Sequence, residues 1–351
     1  MNISMLTRFL LVNIIFDSLT TTEILAVPFH QPRFRPNATW NSIATTFGGQ
    51  SFVGTRSCGI FIDINNSIYM LNIETGEIHI WQNENALNPT KTISSSSVVP
   101  MSLFVTTNGD IYVENGYSNG RVDKWIAKSK TWILAMNIEA QCFGFFVDIY
   151  DGLYCSMFNS YRVDKKWSNG ITTIVAGTGV EGSTSDMLNK PWGIVVDINL
   201  DLYVADCYNH RIQLFRLNQQ NGITVAGTGS AKVTIDLRFP TGITLDGDQH
   251  LFIVDSWNHR IIGSDENGFR CIFACSGEQG STKDKLSGPI SMSFDSYGNI
   301  YVTDRDNSRV QKIFLSKKSD RKCENCSICF LLLTRVTPNF TNTVYILTST
   351  S

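Results

Sequence analysis

The chain is short of several features that usually announce a function. Of its 351 residues, 29 are Lys or Arg and 31 are Asp or Glu, giving a formal net charge of -2 and a pI near 6.2. No excess of positive charge is present to favour nucleic acid or an anionic membrane surface as a partner. Long apolar runs are also missing. The stretch from Phe9 to Phe16 and the later CFLLL at Cys329 are both too short to span a bilayer, so no transmembrane segment or lipid anchor is expected. The 5 histidines are scattered. There is no Gly-x-Ser-x-Gly elbow and no phosphate loop, and Gly-Thr-Gly at Gly177 and Gly227 ends a strand-like run without leading into a helical pattern. What remains is 42% apolar and 17% charged, a globular composition with ample material for a core.

The N-terminus, MNISMLTRFLLVNIIF, places one Arg before its short apolar stretch, as a secretory signal does. Residues 1–26 are read as that signal, with cleavage after Ala26 or earlier, near Thr20 or Thr22, and residues 27–38 as a linker. An extracellular chain is therefore expected, with a cytoplasmic one as the alternative. Asn-x-Ser/Thr tripeptides at Asn37, Asn65, Asn325 and Asn339 suit secretion. Nine cysteines permit disulfides, and the odd number leaves one unpaired in a monomer, the expected state. Cys142 and Cys155 flank one expected hairpin. Pairing Val147 with Tyr154 puts Cys142 opposite Asn159, a register that argues against a bridge between them.

A repeat organises the rest. Tyr69, Tyr112, Tyr154, Tyr203, Phe252 and Tyr301 align at spacings of 43, 42, 49, 49 and 49 residues. Each follows an apolar run (GIFID, SLFVT, GFFVD, GIVVD, GITLD, SMSFD) and a tight Asn/Asp/Gly turn, and sits in a second run (SIYML, DIYVE, GLYCS, DLYVA, HLFIV, NIYVT). Those are hairpins. A third strand (RIQLF, RIIGS, RVQKI) and a fourth (ITTIVAG, ITVAG, RCIFAC) complete the unit. Four-stranded sheets at this period predict an all-β, six-bladed β-propeller over residues 39–315, with first strands near residues 59, 102, 143, 193, 242 and 290. The sixth unit runs into LSKKSDRKCENC, too charged for a fourth strand, whereas WNSIATTFGGQ at Trp40 repeats the grammar of WSNGITTIVAGTG at Trp167. The N-terminal strand is thus expected to close the ring as the outer strand of the last blade. Residues 316–351 read as a disordered, Ser/Thr-containing tail.

Pro-x-Gly-Ile, Leu-Tyr-Val-Ala-Asp and Asn-His-Arg-Ile-Gln resemble the NHL repeat family, most clearly at 191–215 and 240–263 and less so in the first three units, where Asn72, Asn115 and Met157 take the slot of Asp206. The resemblance implies a six-bladed propeller, in agreement with the count. It also raises catalysis, because the amidating lyases resemble NHL propellers and carry metal-binding histidines after the first-strand proline. The matching channel positions here are Cys58, Met101, Phe143, Trp192, Thr241 and Ile290, with no histidine or carboxylate among them. No metal, cofactor or enzymatic activity is expected. Asp304, Asp306 and Asn307 have the atoms for calcium but belong to the turn motif, and Cys323, Cys326 and Cys329 supply three ligands of a possible four.

The motif Asp-x-x-Asn-His-Arg looks at first like a catalytic His-Asp pair. In the last copy serine replaces the histidine and the rest survives, so the pairs Asp206 with Arg211, Asp255 with Arg260, and Asp304 with Arg309 are read as structural ties across a turn. Asn209, Asn258 and Asn307 suit left-handed or Asx-type geometry there. The same face carries long loops and displays Tyr208, Trp257 and Arg305, with Trp192 at the channel mouth. These residues are either interface anchors or packing against neighbouring loops. The expectation is a secreted, non-enzymatic binding module for a protein, peptide or glycan. The alternatives are an intracellular substrate- or RNA-recognition propeller, resembling those of tripartite-motif ubiquitin ligases although no RING or B-box pattern precedes Trp40, and a six-bladed hydrolase or lyase.

Overall fold

Strands with both faces apolar need cover on both sides, and each sheet finds it in its two neighbours around an axis. A computed structural model describes residues 31–316 except 57, 83, 85–86, 96–99, 115–119, 139–140 and 232–233. It holds six four-stranded antiparallel sheets. The inner strands are Ile60–Ile62, Leu103–Val105, Cys142–Val147, Pro191–Val196, Pro240–Leu245 and Pro289–Phe294. Second strands such as Leu251–Asp255 and Ile300–Asp304 are buried throughout, while the outer strand Thr172–Ala176 is mostly exposed. The aligned aromatics all lie on second strands, each opposite a residue of its own inner strand: Phe61 with Tyr69, Phe104 with Tyr112, Phe146 with Tyr154, Thr244 with Phe252.

Blade six takes its outer strand from the other end of the chain. Thr45–Gly48, which we label β1, pairs with Arg309–Ile313, labelled β2, through Thr45 opposite Lys312, Thr46 opposite Gln311 and, after a register shift, Gly48 opposite Val310. Residues 32–38, read from sequence as linker, pack on blades five and six. Gly247 N donates to Pro32 O at 2.9 Å, and Phe34 meets Trp40, Phe252 and Phe294 with ring centroids 4.9, 5.5 and 5.2 Å apart. Phe252, in the tyrosine slot of blade five, lies within this aromatic cluster.

The four inner strands of blades three to six share a bulge at the start, between Cys142 and Gly144, Pro191 and Ile194, Pro240 and Ile243, and Pro289 and Met292. This overturns the expected absence of a Cys142–Cys155 bridge. Val147 pairs with Leu153 rather than Tyr154, so Phe145 lies opposite Cys155. Three residues upstream, an unbroken strand would turn Cys142 to the other face. The extra residue of the bulge restores it to the face of Cys155. The two form a disulfide with Cα atoms 5.4 Å apart, and a second joins Cys271 to Cys275. Cys58 and Cys207 are buried free thiols, and Cys323, Cys326 and Cys329 lie outside the described residues, as do the signal at 1–26 and the tail from 317. Asn37 and Asn65 are exposed, while Asn325 and Asn339 also fall outside. No helix among the described residues is long and apolar enough to cross a membrane.

Candidate functional site

The Asp-to-Arg turns lie on the face where the inner strands begin, called here the upper face. Asp206, 0% exposed, accepts from Arg211 Nε at 2.7 Å, Asn209 Nδ2 at 2.8 Å and Asn189 N at 2.7 Å. Arg211 also donates to the carbonyls of Ser183, Thr184 and Met187 at 2.8, 2.9 and 3.1 Å. The pair therefore ties its own turn and also pins the long loop that leads in from the preceding blade. Arg260 meets Asp255 at 2.8 Å, and Arg309 meets Asp304 at 2.6 Å while holding Ser281, Thr282 and Lys285 carbonyls. The asparagines make the Asx contact to the aspartate. The left-handed residue is the next one: His210, His259 and Ser308, with φ of 55°, 51° and 52°.

The two histidines are latches between blades. Nδ1 of His210 accepts from Phe239 N, and Nδ1 of His259 from Gly288 N, both at 3.1 Å. Accepting through Nδ1 requires a neutral ring. Burial holds His259 below its ordinary value of 6.5, against the opposing pull of Asp306, Asp304 and Asp255. With a depressed folded value, the unfolded chain binds the proton first. The latch is at full strength above about pH 6.5 and is lost as pH falls through the folded value. Asn tolerates the left-handed conformation and accepts a hydrogen bond without titrating. His259→Asn is therefore expected to flatten the fall in melting temperature between pH 7 and pH 5 relative to wild type; parallel pH profiles for the two proteins would rule the latch out.

Inside the ring, the inner strands approach so closely that side chains are excluded at one position. A Cβ on Gly144 would stand 2.3 Å from Trp192 O, one on Gly193 2.3 Å from Thr241 O, and one on Gly242 2.7 Å from Ile290 O. Pro-x-Gly thus reports a backbone contact between blades. Hydroxyls staple the same region: Ser156 Oγ accepts from Gly144 N at 2.7 Å and donates to Trp192 O, and Thr303 Oγ1 joins Ser291 N at 2.9 Å to Cys58 O at 3.3 Å. Glu114 holds the corresponding place in blade two and accepts from Met101 N at 3.3 Å.

Cys58, Met101, Phe143, Trp192 and Ile290 line the channel, which encloses a cavity of about 150 Å³. Thr241 does not. It is buried with its hydroxyl directed to Pro289 O at 3.4 Å, because the bulge turns it into the blade interface. Burial pushes the Cys58 thiol up to about 11, only partly offset by the Arg305 and Arg56 guanidinium groups, so it stays protonated and unreactive at neutral pH. No cluster of three or more His, Cys, Asp or Glu suited to a metal occurs among the described residues.

Around the channel mouth runs an arc of aromatic rings. Phe143 stacks on Phe158 at 4.4 Å and meets Trp192 at 4.6 Å; Phe158 meets Tyr208 at 6.1 Å, Tyr208 meets Phe239 at 5.0 Å, and Phe239 meets Trp257 at 4.9 Å. Tyr208 and Trp257 pack one side on Phe239, yet remain 48% and 55% exposed. One side of each ring thus packs on a neighbouring loop, and the other is open to solvent. Arg238 lies over Trp257 at 5.2 Å, and Lys190 over Phe158 at 4.9 Å. Arg305 is not the third member of the Tyr208 and Trp257 set. The short turns 158–160, 207–209, 256–258 and 305–307 correspond position by position, so Arg305 takes the place of Phe158 and Asp306 that of Trp257. Phe158, Phe239, Lys190 and Arg238 escaped the sequence reading; the only signal was their position just before a first-strand proline or just after a second strand.

A sequence model of the NHL repeat matches residues 188–215, 237–263 and 286–313. Blades four to six are NHL repeats. None of the curated protein sequences matches the chain. Solved structures similar to it include a virginiamycin B lyase from Staphylococcus aureus, at 12% identity and TM-score 0.55 over 78% of this chain and 99% of that one. Two others are auxiliary nutrient binding proteins, from Bacteroides ovatus (16% identity, TM-score 0.60, 83% of this chain and 76% of that one) and Bacteroides thetaiotaomicron (16%, 0.58, 82% and 75%). At these identities the likeness extends to the propeller fold and stops there. The NHL blades carry Tyr208, Phe239, Trp257 and both histidine latches, so the exposed end of the arc is built by the first two of the three units that the family matches.

Proposed function

We propose that this NHL propeller is a secreted, non-enzymatic recognition module that binds a protein, peptide or glycan through its upper face. The observation that carries this reading is the aromatic arc: large rings, braced from behind yet about half exposed, are the side chains that anchor interfaces at low entropic cost. The two disulfides and the N-terminal apolar stretch support an oxidising, extracellular setting. Nutrient binding, the role named for the two Bacteroides neighbours, is of the same kind. A channel lined at its mouth by thiol, thioether and aromatic groups, with Cys58 held protonated, supports binding over chemistry.

The test is a screen of peptide and glycan arrays with the intact propeller, followed by affinity measurements on the best hit. Trp257→Ala should weaken binding by about 2 kcal/mol or more with the melting temperature unchanged. Unchanged affinity with a lowered melting temperature assigns the tryptophan to packing alone and rejects the site.

A further inference from the structure

The channel mouth combines two features that no part of the fold uses. The first is the channel cavity, about 150 Å³, bordered at this end by Cys58, Met101, Phe143, Trp192 and Ile290 and following the inner strands down to Asp197 and Asp246. That is the size that accepts a single benzene-like ring, and well under the roughly 300–1,000 Å³ of a pocket for a whole small-molecule ligand. An occupant must therefore be one side chain of something larger lying outside. The arc from Trp192 to Trp257 provides the surface on which the remainder would lie.

The second is Arg305. Its Nε is buried and has no hydrogen-bond partner among the described residues. Its equivalent in blade three, Phe158, stacks on the channel residue Phe143. Its own charge bears on Cys58, another channel residue, whose carbonyl is held by Thr303 two positions before it in sequence. A buried guanidinium donor left unmatched costs free energy until an acceptor arrives, and a planar carboxylate is the acceptor that fits it. The other cations of the rim, Lys190 and Arg238, are spent on aromatic rings and on the Asn159 amide, so their charge is also uncompensated by a carboxylate partner at those contacts.

From this juxtaposition we infer that the upper face captures the free C-terminus of a partner polypeptide, with the apolar side chain of its last residue in the channel and its terminal carboxylate on Arg305. One C-terminal residue carries both an apolar side chain and a carboxylate, which neither an internal segment nor a neutral sugar does. The preceding residues run outward over the arc. The inference rests on the binding reading above and narrows it to one class of ligand.

The experiment is selection of random heptapeptides displayed with free C-termini against the full propeller, followed by titration of the selected peptides as acids and as C-terminal amides. Selected sequences should end in Leu, Ile, Val, Phe or Met. Amidation should weaken binding about tenfold or more, as expected for loss of a charge-assisted pair. In Arg305→Gln, with its melting temperature unchanged, the acid should bind as weakly as the amide. Peptides that bind equally well when amidated, or through an internal motif, overturn the inference while leaving the binding face in place, provided Trp257→Ala still weakens them. Recovery of glycans and no peptide overturns the inference also. Amidation-sensitive binding that ignores Trp257→Ala keeps the C-terminal pocket and removes the arc.

Discussion

Deleting residues 27–49 is expected to yield an aggregating, protease-sensitive protein, whereas deleting 317–351 should leave the melting temperature unchanged. The N-terminal segment does three things for the ring. It supplies β1 and covers the edge of β2, and without it that edge would offer unpaired backbone groups to other chains. It also brings Phe47 against Trp81 and Tyr301, with centroids 5.6 and 5.5 Å apart, across the seam between the last blade and the first. Finally, it sets Trp40 into the base of blades five and six, where its Nε1 donates to Gly298 O at 2.9 Å. Further bonds run from Asn41 N to Phe314 O at 2.8 Å and from Ser316 N to Thr39 O at 2.7 Å, joining the two ends of the domain.

A buried Trp is worth about 3–5 kcal/mol on truncation, and each backbone bond about 0.5–1.5 kcal/mol net. Together these match a large share of a typical stability of about 5–15 kcal/mol. Limited proteolysis and thermal melts of the two truncations make the comparison. An N-terminal deletion that unfolds cooperatively at the wild-type temperature would show that the seam is held by the blade interfaces alone.

Arg211→Ala should cost about 3–5 kcal/mol in denaturant unfolding, far more than an exposed ion pair would. Asp206 is wholly buried, and burial pushes its carboxyl above the usual range against the opposing donors Asn189 N, Asn209 and Arg211. Removing the guanidinium strands that charge and frees three loop carbonyls at the same time. The sign of the pH effect follows. A carboxylate whose folded value is raised favours the folded state at low pH, and the variant raises it further, so the deficit should shrink as pH falls from 7 towards 4. A loss under 1 kcal/mol, or one independent of pH, would reduce the pair to a surface tie. The loop from 177 to 190 carries Lys190 towards the arc, so the same variant should loosen the upper face.

Most of this architecture was legible along the chain because a propeller blade is a local object. Four strands joined by short turns leave their pattern within 50 residues, and six aligned aromatics set the count of blades. Closure was legible for a related reason: the grammar of an outer strand at Trp40 matched that at Trp167. The Asp-to-Arg ties were readable because they span five residues. The replacement of histidine by Ser308 in the last copy pointed to a structural rather than catalytic histidine, and the latch to the following blade accounts for it, since Ser308 Oγ also reaches across, to Thr55 O at 2.8 Å.

Contacts between blades decided the rest. The Cys142–Cys155 disulfide depends on a bulge forced where inner strands crowd the axis, and the glycine that permits the crowding meets a carbonyl some fifty residues away in sequence, Gly193 against Thr241 O. Thr241 leaves the channel for the same reason. The aromatic arc links Phe158, Tyr208, Phe239 and Trp257 from three successive units, and Arg305 takes the slot of Phe158 in its turn rather than that of Trp257. Sequence periodicity determines each sheet and the number of sheets, since hydrogen bonding and apolar alternation act within a blade. The composition of the upper face is settled only when six blades close round an axis, because each ring, latch and guanidinium there finds its neighbour in the next blade.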